Sequence, residues 1–535
     1  MAKVLFINPI IREKDVPRHI PYGIALLATL AIQKGHLVQV CDANAWRITD
    51  DVLIQVLTAD DWDVIAFGGI STTYGYSKKI AQLAKQHAPQ ALQVMGGGGL
   101  TAIPRPIMAL ITQVDIGVIG EAFFTFNEIL AQVDAKKMEP EKIKGVIYRT
   151  PEGGLDMTPA RPLLEDLDSL PYPAYELFPL EEVYFPNSMV LFSEEGMLSK
   201  RRVDMNSSFG CSLVCKFCFH LGLAGDMKYY KNDKNETDVV FDVPNSFTRT
   251  IRYNSPRYVV NMAKYLRDRF QVDFVSFLDE NLMTLDVYSN RKWLTEVCEL
   301  WISEGLQPSC IRDGVEHDEK CKGVHWSGTS HATLCNPDIL KLMRKAGCSH
   351  LVYGYESFSR HILKTLGKGS TPDTNVRSYF WTMEAGIRPI PNQIIGFPSE
   401  NFDSIRDDMK AWENLGIIVK PFFATPYPGS LWYEVYKDKI LSQYDNNIEK
   451  FLLDLGDATD ITAIISENFN AVDLYGLREM MIRFDYRRIA EYELEWKKRN
   501  PEKDAVKMAA ATEQRWLKSA PQLPRRGSQQ QVVNA

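Results

Sequence analysis

The sequence predicts an α/β protein. A doubly wound, Rossmann-like N-terminal domain is followed by a partial (β/α)6 TIM-type barrel and a helical C-terminal region. Three observations carry this. Apolar runs of strand length alternate with amphipathic segments from residue 3 to about 150. A second alternating series starts at residue 203. A stretch with four prolines, from Pro171 to Pro186 with both included, separates the two. Continuous apolar strands linked by helices imply a parallel sheet covered on both faces. The expected organisation is 1–150 N-terminal domain, 151–200 ordered linker, 201–435 partial barrel, 436–518 helical region and 519–535 disordered tail.

In the first series, "KVLFINP" is a strand stopped by Asn-Pro, and "IPYGIALLATLAIQKG" is a helix ended by Lys-Gly. "LVQVCDA", "DVIAFGGI", "LQVMGGGG" and "IGVIGE" complete five strands, each followed by a helical segment. Ligands of such sheets sit at the carboxyl ends of the strands. Those ends read Gly68-Gly69 with Ser71, Thr72 and Thr73, then Gly96 to Gly99, then Gly120-Glu121. Glycine at such a place lets a bulky ligand approach the backbone, or simply makes a tight turn. No G-x-G-x-x-G follows the first strand, which argues against a dinucleotide.

In the second series the expected strands are "VDMNSS", "VDFVSFLD", "LQPSCIRD", "HLVYGYES", "PNQIIGF" and "VKPFFATP". Helices are expected at 256–270, 286–304, 337–346, 372–385 and 402–414. Barrel chemistry belongs at the C-terminal strand ends. These ends carry Gly210-Cys211, Asp279-Glu280-Asn281, Arg312-Asp313, Glu356-Ser357, Gly396-Phe397-Pro398 and Pro426-Tyr427-Pro428-Gly429. Two interruptions, 221–252 and 313–335, read as insertions. The second holds His317, Cys321, His325, His331 and Cys335. Spacings of four are metal-compatible on a helix, but interleaved Asp, Glu and Lys favour a polar substrate lid with solvated side chains.

Bulk properties exclude several classes. A net charge of −7 without a polybasic block gives nucleic-acid binding no support. The longest nearly apolar run, "IPYGIALLATLAIQ", falls short of the ~20 residues that span a bilayer. The N-terminus lacks a signal-peptide layout, so a cytoplasmic chain with reduced thiols is expected.

Three of the nine cysteines crowd into "CSLVCKFCFH". Thiolates at Cys211, Cys215 and Cys218 can wrap one face of an iron–sulfur cluster. Four would close a [4Fe–4S] cluster, whereas three leave one iron open to a small molecule. A zinc site completed by His220 is the alternative, and inert core thiols are a third reading.

C-x-x-x-C-x-x-C after the first strand of a partial barrel, with an aromatic before the last cysteine, resembles the signature of radical S-adenosylmethionine enzymes. "PYGIALLATLAIQKGHLVQVCDAN", "GGISTT", "VMGGGGLTAIP", "DIGVIGEAFFTF" and "EDLDSLPYPAYELFP" resemble the subgroup with an N-terminal cobalamin-binding domain. "FLDENL", "LKLMRKAGCSHLVYGYES", "IIGFPSEN" and "TPYPGS" resemble its barrel. The resemblance implies a [4Fe–4S] cluster on Cys211, Cys215 and Cys218, with S-adenosylmethionine on the open iron. It implies that Phe217 packs near the adenine, and that Asp279, Glu280, Asn281, Glu356 and Ser357 line the S-adenosylmethionine pocket. Arg312, at an expected strand end, is counted with them. Ser71, Thr72, Gly96, Gly97 and Gly98 would hold the cobalamin tail.

The chain departs from the family's pattern: the third-strand loop, 313–335, is long, and the usual glycine-glycine-proline-histidine reads "GGGGLT". The cobalamin-ligating motif D-x-H-x-x-G is absent, and His19 is the only histidine in the first strand-to-helix loop. It is the candidate lower ligand, in a subgroup that often leaves this position open. The reaction implied is C-methylation of an unactivated carbon on a small-molecule substrate, through a 5′-deoxyadenosyl radical and methylcobalamin. An external donor such as flavodoxin or ferredoxin would supply the electron. Alternatives are an oxidative cyclisation or rearrangement, radical chemistry beside a vestigial cobalamin domain, or an iron–sulfur carrier. A second cluster is ruled out for the N-terminal domain, which has Cys41 alone.

Overall fold

The computed structural model describes residues 1–187, 190, 192–219, 227–241, 251–318 and 320–519. His220, much of 221–252 and nearly all of the expected tail lie outside these residues.

The N-terminal sheet contains the five expected parallel strands: β1 (Lys3–Asn8), β2 (Leu37–Asp42), β3 (Val64–Gly68), β4 (Leu92–Gly96) and β5 (Ile116–Val118). Their order is β2-β1-β3-β4-β5, with helices on both faces. Two further strands, β6 (Val146–Arg149) and β7 (Leu155–Met157), extend the edge as an antiparallel hairpin. The sequence reading missed them because each is short and they flank the turn "TPEGG", where Gly153 takes a φ of +84°.

The second sheet begins at β8 (Arg202–Met205). β9 (Ser208–Phe209), β10 (Met227–Lys231), β11 (Thr237–Phe241) and β12 (Arg252–Tyr253) form two small antiparallel pairs, β9 with β12 and β10 with β11. β13 (Phe274–Phe277), β14 (His325–Ser330), β15 (Cys348–Glu356), β16 (Arg388–Ile395) and β17 (Phe422–Phe423) complete the parallel half-barrel. The spatial order follows the chain, β8-β13-β14-β15-β16-β17.

The third strand is not the expected one. "LQPSCIRD" contributes a helix, Ser309–Asp313, whose N-cap is Pro308. Proline lacks an N–H and suits a helix start better than an interior strand. The strand that replaces it is "HWSGTS", taken from the presumed insertion. Arg312 is therefore not at a C-terminal strand end. Its side chain is 61% exposed and pairs with Asp313 at 2.8 Å, ahead of β14. Arg202, at the start of β8, is buried and donates to Ser276 Oγ and to the Arg18 carbonyl.

The two sheets meet through their C-terminal edges. His19, in the loop after β1, donates from Nδ1 to the Asp204 carboxylate of β8 at 2.8 Å. Arg252 of β12 pairs with Glu121, in the loop after β5, at 2.5 Å. Tyr184 Oη donates to Asp42, at the end of β2, at 2.6 Å. Tyr175 Oη donates to the Asp204 carbonyl at 2.7 Å. The prolines of 171–186 thus direct buried tyrosines into both domains. Helices Ala471–Ile482, Tyr486–Arg499 and Ala505–Ser519 close the C-terminal region.

Candidate active site between the two sheets

Gly210, at φ +94°, turns the chain out of β9 into the cysteine loop. Cys215 is buried, and Cys211 and Cys218 are half-buried. The Cys218 N–H donates to the Cys215 carbonyl at 3.1 Å, which closes the turn. The loop is pinned from outside: Lys216 N–H donates to the Leu366 carbonyl, and Trp432 N–H donates to the Lys216 carbonyl at 3.1 Å. Val214 and Phe219 pack against a cluster formed by Leu431 and by Ala102, in the short helix Gly98–Ala102 that follows the glycines of β4.

Beside the loop lies a group that sequence reasoning missed. Lys368 is buried; its ammonium pairs with Glu356 and lies 5.7 Å from the Phe217 ring centroid. Burial alone would push this lysine down. Glu356 and the Cys215 and Cys218 thiolates outweigh it and hold the pKa above the ordinary value. Glu356 adopts a left-handed φ of 61°, costly for a non-glycine residue and characteristic of functional sites. A Cβ on Gly354 would collide with both partners, so glycine there makes room for the pair. The only sequence signal for Lys368 was its place between two glycines in "LGKGS".

Phe217 packs against Trp432 at 5.6 Å. Both line a cavity of about 360 Å³ together with Glu356, Asn392 and Tyr427. Arg12, from the loop after β1, enters the same cavity and pairs with Asp457 at 3.0 Å. Neither Arg12, Asn392 nor Trp432 was anticipated.

The remaining expected residues divide. Asn281, at the end of β13, is buried, and neither atom of its amide has a partner among the described residues. Ser330 Oγ and His331 Nε2, at the end of β14, are in the same condition. Burial, with the Lys368 charge adding to it, pushes His331 down to about 3 and keeps its ring neutral. Buried polar atoms without partners cost stability unless a ligand satisfies them. Glu280 is exposed.

Asp279 and Ser357 instead use their polar atoms within the protein. Asp279 accepts from Ser207 N–H at 3.1 Å and from the Ser207 and Ser208 hydroxyls, and so anchors the strand leading to the cysteines. Ser357 Oγ donates to Asp408 at 2.9 Å. Burial pushes Asp408 up to about 7.

On the N-terminal sheet, Ser71 is buried and its Oγ has no partner among the described residues. Thr72, Gly96 and Gly98 are half-buried and Gly97 is exposed. Part of the glycine pattern is structural. A Cβ on Gly68 would collide with the Gly96 backbone, and one on Gly97 would sit 2.7 Å from the Gly69 carbonyl. His19 Nδ1 is held by Asp204, which makes this histidine a tie between the sheets. Burial pushes Asp204 up, but His19 and Arg202 hold it below the usual range.

Residues 205–411 match the Radical SAM superfamily, and residues 10–130 match the B12 binding domain. An uncharacterized methyltransferase of Pyrococcus horikoshii is 25% identical over 79% of each chain. The anaerobic magnesium-protoporphyrin IX monomethyl ester cyclase of Rubrivivax gelatinosus is 23% identical over 78% of this chain and 67% of its own. Among solved structures, the radical S-adenosylmethionine methyltransferase TsrM of Kitasatospora setae superposes with a TM-score of 0.59 at 16% identity, covering 82% of this chain and 76% of that one. The cobalamin-dependent radical enzyme OxsB superposes with a TM-score of 0.59 at 15% identity, covering 83% of this chain and 56% of its own. The cofactors of this combination are a [4Fe–4S] cluster, S-adenosylmethionine and cobalamin. The half-barrel with its cysteine loop, facing a sheet with glycine-bearing strand ends, marks the chain as a member of the radical S-adenosylmethionine enzymes that carry an N-terminal B12-binding domain.

Proposed function

We propose that this enzyme is a cobalamin-dependent methyltransferase that places a methyl group on a carbon of a small-molecule substrate. The observation that carries the reading is that the cysteine loop and the strand-end helix of the N-terminal sheet share one apolar cluster, with Val214 and Phe219 packed against Ala102 and Leu431. It brings the radical-generating loop and the cobalamin-side glycines to one place, as proximity catalysis requires.

The residues fit the groups they would hold. Cys211, Cys215 and Cys218 would bind the cluster, beside a buried ammonium that favours anionic thiolates. The partnerless Ser71 hydroxyl, with Thr72 and Gly96 to Gly98, would receive the cobalamin tail. Asn281, Ser330 and His331 offer partnerless polar atoms to S-adenosylmethionine. When bound, these groups supply one-electron cleavage of S-adenosylmethionine and a methyl carrier. Phe217 and Trp432 exclude water from the cavity, Lys368 holds positive charge against the thiolates, and Glu356 fixes Lys368. An external flavodoxin- or ferredoxin-type donor would complete the cycle. No disulfide joins the described cysteines, which supports a reducing, cytoplasmic setting.

Three cyclases among the relatives favour a second outcome, cyclisation with the same cofactors. Anaerobic incubation with methyl-labelled S-adenosylmethionine and host extract separates the two. Label on a small-molecule product is expected; 5′-deoxyadenosine without label transfer would decide for cyclisation. The variant with Cys211, Cys215 and Cys218 all changed to Ala should lose cluster absorbance and all cleavage. Retained cleavage would remove these cysteines from the reaction.

A further inference from the structure

At the opposite edge of the half-barrel sheet, Cys310, His317, Cys321 and His325 bring one ligand atom each to within 4.8 Å of all the others. We propose that these four residues form a closed Cys2His2 zinc site that fixes the start of β14. The expectation of a solvated lid over 313–335 is corrected by the same observation, since His317, Cys321 and His325 turn inward and β14 itself arises from this segment. His331 and Cys335 belong elsewhere: Cys335 Sγ lies 3.0 Å from Tyr353 Oη.

The distances suit the metal. Cys310 Sγ is 3.4 Å from His317 Nδ1 and 3.6 Å from His325 Nε2. A tetrahedron with Zn–S near 2.3 Å and Zn–N near 2.0 Å has edges of roughly 3.3–3.8 Å. The two imidazole rings stand at 87° with centroids 4.7 Å apart, so they present edges rather than a stack. His325 Nδ1 faces the Gly347 carbonyl at 3.3 Å, which leaves Nε2 for the metal. A backbone carbonyl on the far nitrogen is a common orienting partner for metal-bound histidine. Cys321 Sγ accepts from the Cys310 N–H at 3.3 Å and lies 3.6 Å from Ser309 Oγ, contacts that suit a thiolate.

The chain is shaped to close this loop. Gly314, at φ +66°, turns it out of the helix Ser309–Asp313 that carries Cys310. Gly323, at φ +104°, lets it pass the Gln307 carbonyl, which a Cβ would meet at 2.6 Å. Beside the ligands is a cavity of about 40 Å³ lined in part by His317, Cys321 and His325.

Four protein ligands leave no open position, the mark of a structural rather than a catalytic zinc. The location agrees. His325 is the first residue of β14, and its N–H bonds the Asp273 carbonyl just before β13. The six residues of β14, at ~3.3 Å each, separate it from the catalytic strand ends.

Metal analysis of the anaerobically purified, cluster-reconstituted enzyme tests this. The full chain should carry about one zinc in addition to its iron. The variant lacking Cys211, Cys215 and Cys218 should keep that zinc, which excludes adventitious binding to the cluster loop. His317→Ala and Cys321→Ser should each lower zinc content and weaken retention against a chelator at least tenfold. Cobalt substituted into the cluster-free variant should show the intense visible bands of a tetrahedral thiolate site and lose them in Cys321→Ser. His317 is only half-buried, so His317→Ala should keep native circular dichroism. Zinc below about a tenth of an equivalent after zinc-supplemented expression, zinc unaffected by both variants, or a Cys310–Cys321 disulfide in thiol mapping would each overturn the proposal.

Discussion

The two edges of the half-barrel sheet carry similar ligand chemistry in opposite arrangements. At the C-terminal edge, three cysteines are spread along a loop, beside a buried Lys368–Glu356 pair and the partnerless polar atoms of Asn281, Ser330 and His331. At the N-terminal edge, two cysteines and two histidines converge on one point. An arrangement with polar atoms left over has room for a ligand, whereas a convergent set satisfies itself. The first invites chemistry and the second holds a strand in place. Variants at the C-terminal edge should therefore separate activity from stability in ways that variants at the N-terminal edge cannot.

The sharpest break of that contrast is Lys368→Met. It strips the counter-charge from Glu356 and from the thiolates of Cys215 and Cys218. Removing one member of a buried pair costs about 3–5 kcal/mol. Urea unfolding should show that loss, and S-adenosylmethionine cleavage should fall with it. Lys368→Met combined with Glu356→Leu should regain much of the stability and none of the activity. Recovery of both would reduce the pair to packing. Because the folded pKa of Lys368 is raised, its contribution is constant through neutral pH. It disappears only as pH climbs above the ordinary lysine value, ~10.4, and through the folded one.

A smaller effect tests whether burial at this edge has a pH cost. Asp408 is pushed up to about 7 and Glu400 to about 8, in both cases mainly by burial. Their folded pKa values lie above the unfolded ones near 4, so the folded state binds more protons between the two. Stability should fall as pH rises from 5 to 8, by about 3 kcal/mol for Asp408. Asp408→Asn keeps an acceptor for Ser357 and the Phe358 N–H and removes the proton. Its unfolding free energy should lose roughly half of the pH slope, the rest belonging to Glu400. An unchanged slope would mean that Asp408 is ionised in the folded state.

How much of this was legible differs between the regions for physical reasons. The five parallel strands of the N-terminal sheet are continuous apolar runs, and periodicity finds them. β14 is "HWSGTS", buried because β13 and β15 flank it and not because its residues are apolar. The more apolar "LQPSCIRD" drew the strand assignment, and with it Cys310 was separated from His317, Cys321 and His325. The cysteine loop was readable from spacing alone, since its ligands are local. Lys368 was not, because only the return of the chain after β15 brings it under Phe217. Asp279 and Ser357 stand at the expected strand ends but bond Ser207, Ser208 and Asp408. A strand-end position fixes where a side chain starts and leaves open which partner it meets.

The smallest expected effect concerns the seam between the sheets. Arg12 is half exposed, and its ion pair with Asp457 spans the cavity mouth at 3.0 Å. Exposed pairs contribute roughly 0–1 kcal/mol, so Arg12→Ala should leave the unfolding midpoint nearly unchanged. The guanidinium nevertheless faces the same cavity as Phe217 and Glu356, on the loop that carries His19 to Asp204. A residue that lines the cavity without holding the fold should affect KM more than stability. A several-fold rise in KM for S-adenosylmethionine or substrate with an unchanged midpoint is the expected pattern. A fall in the midpoint with unchanged KM would assign Arg12 to the interdomain tie instead, beside His19. Either result places the boundary between the residues that join the two sheets and those that face the ligand between them.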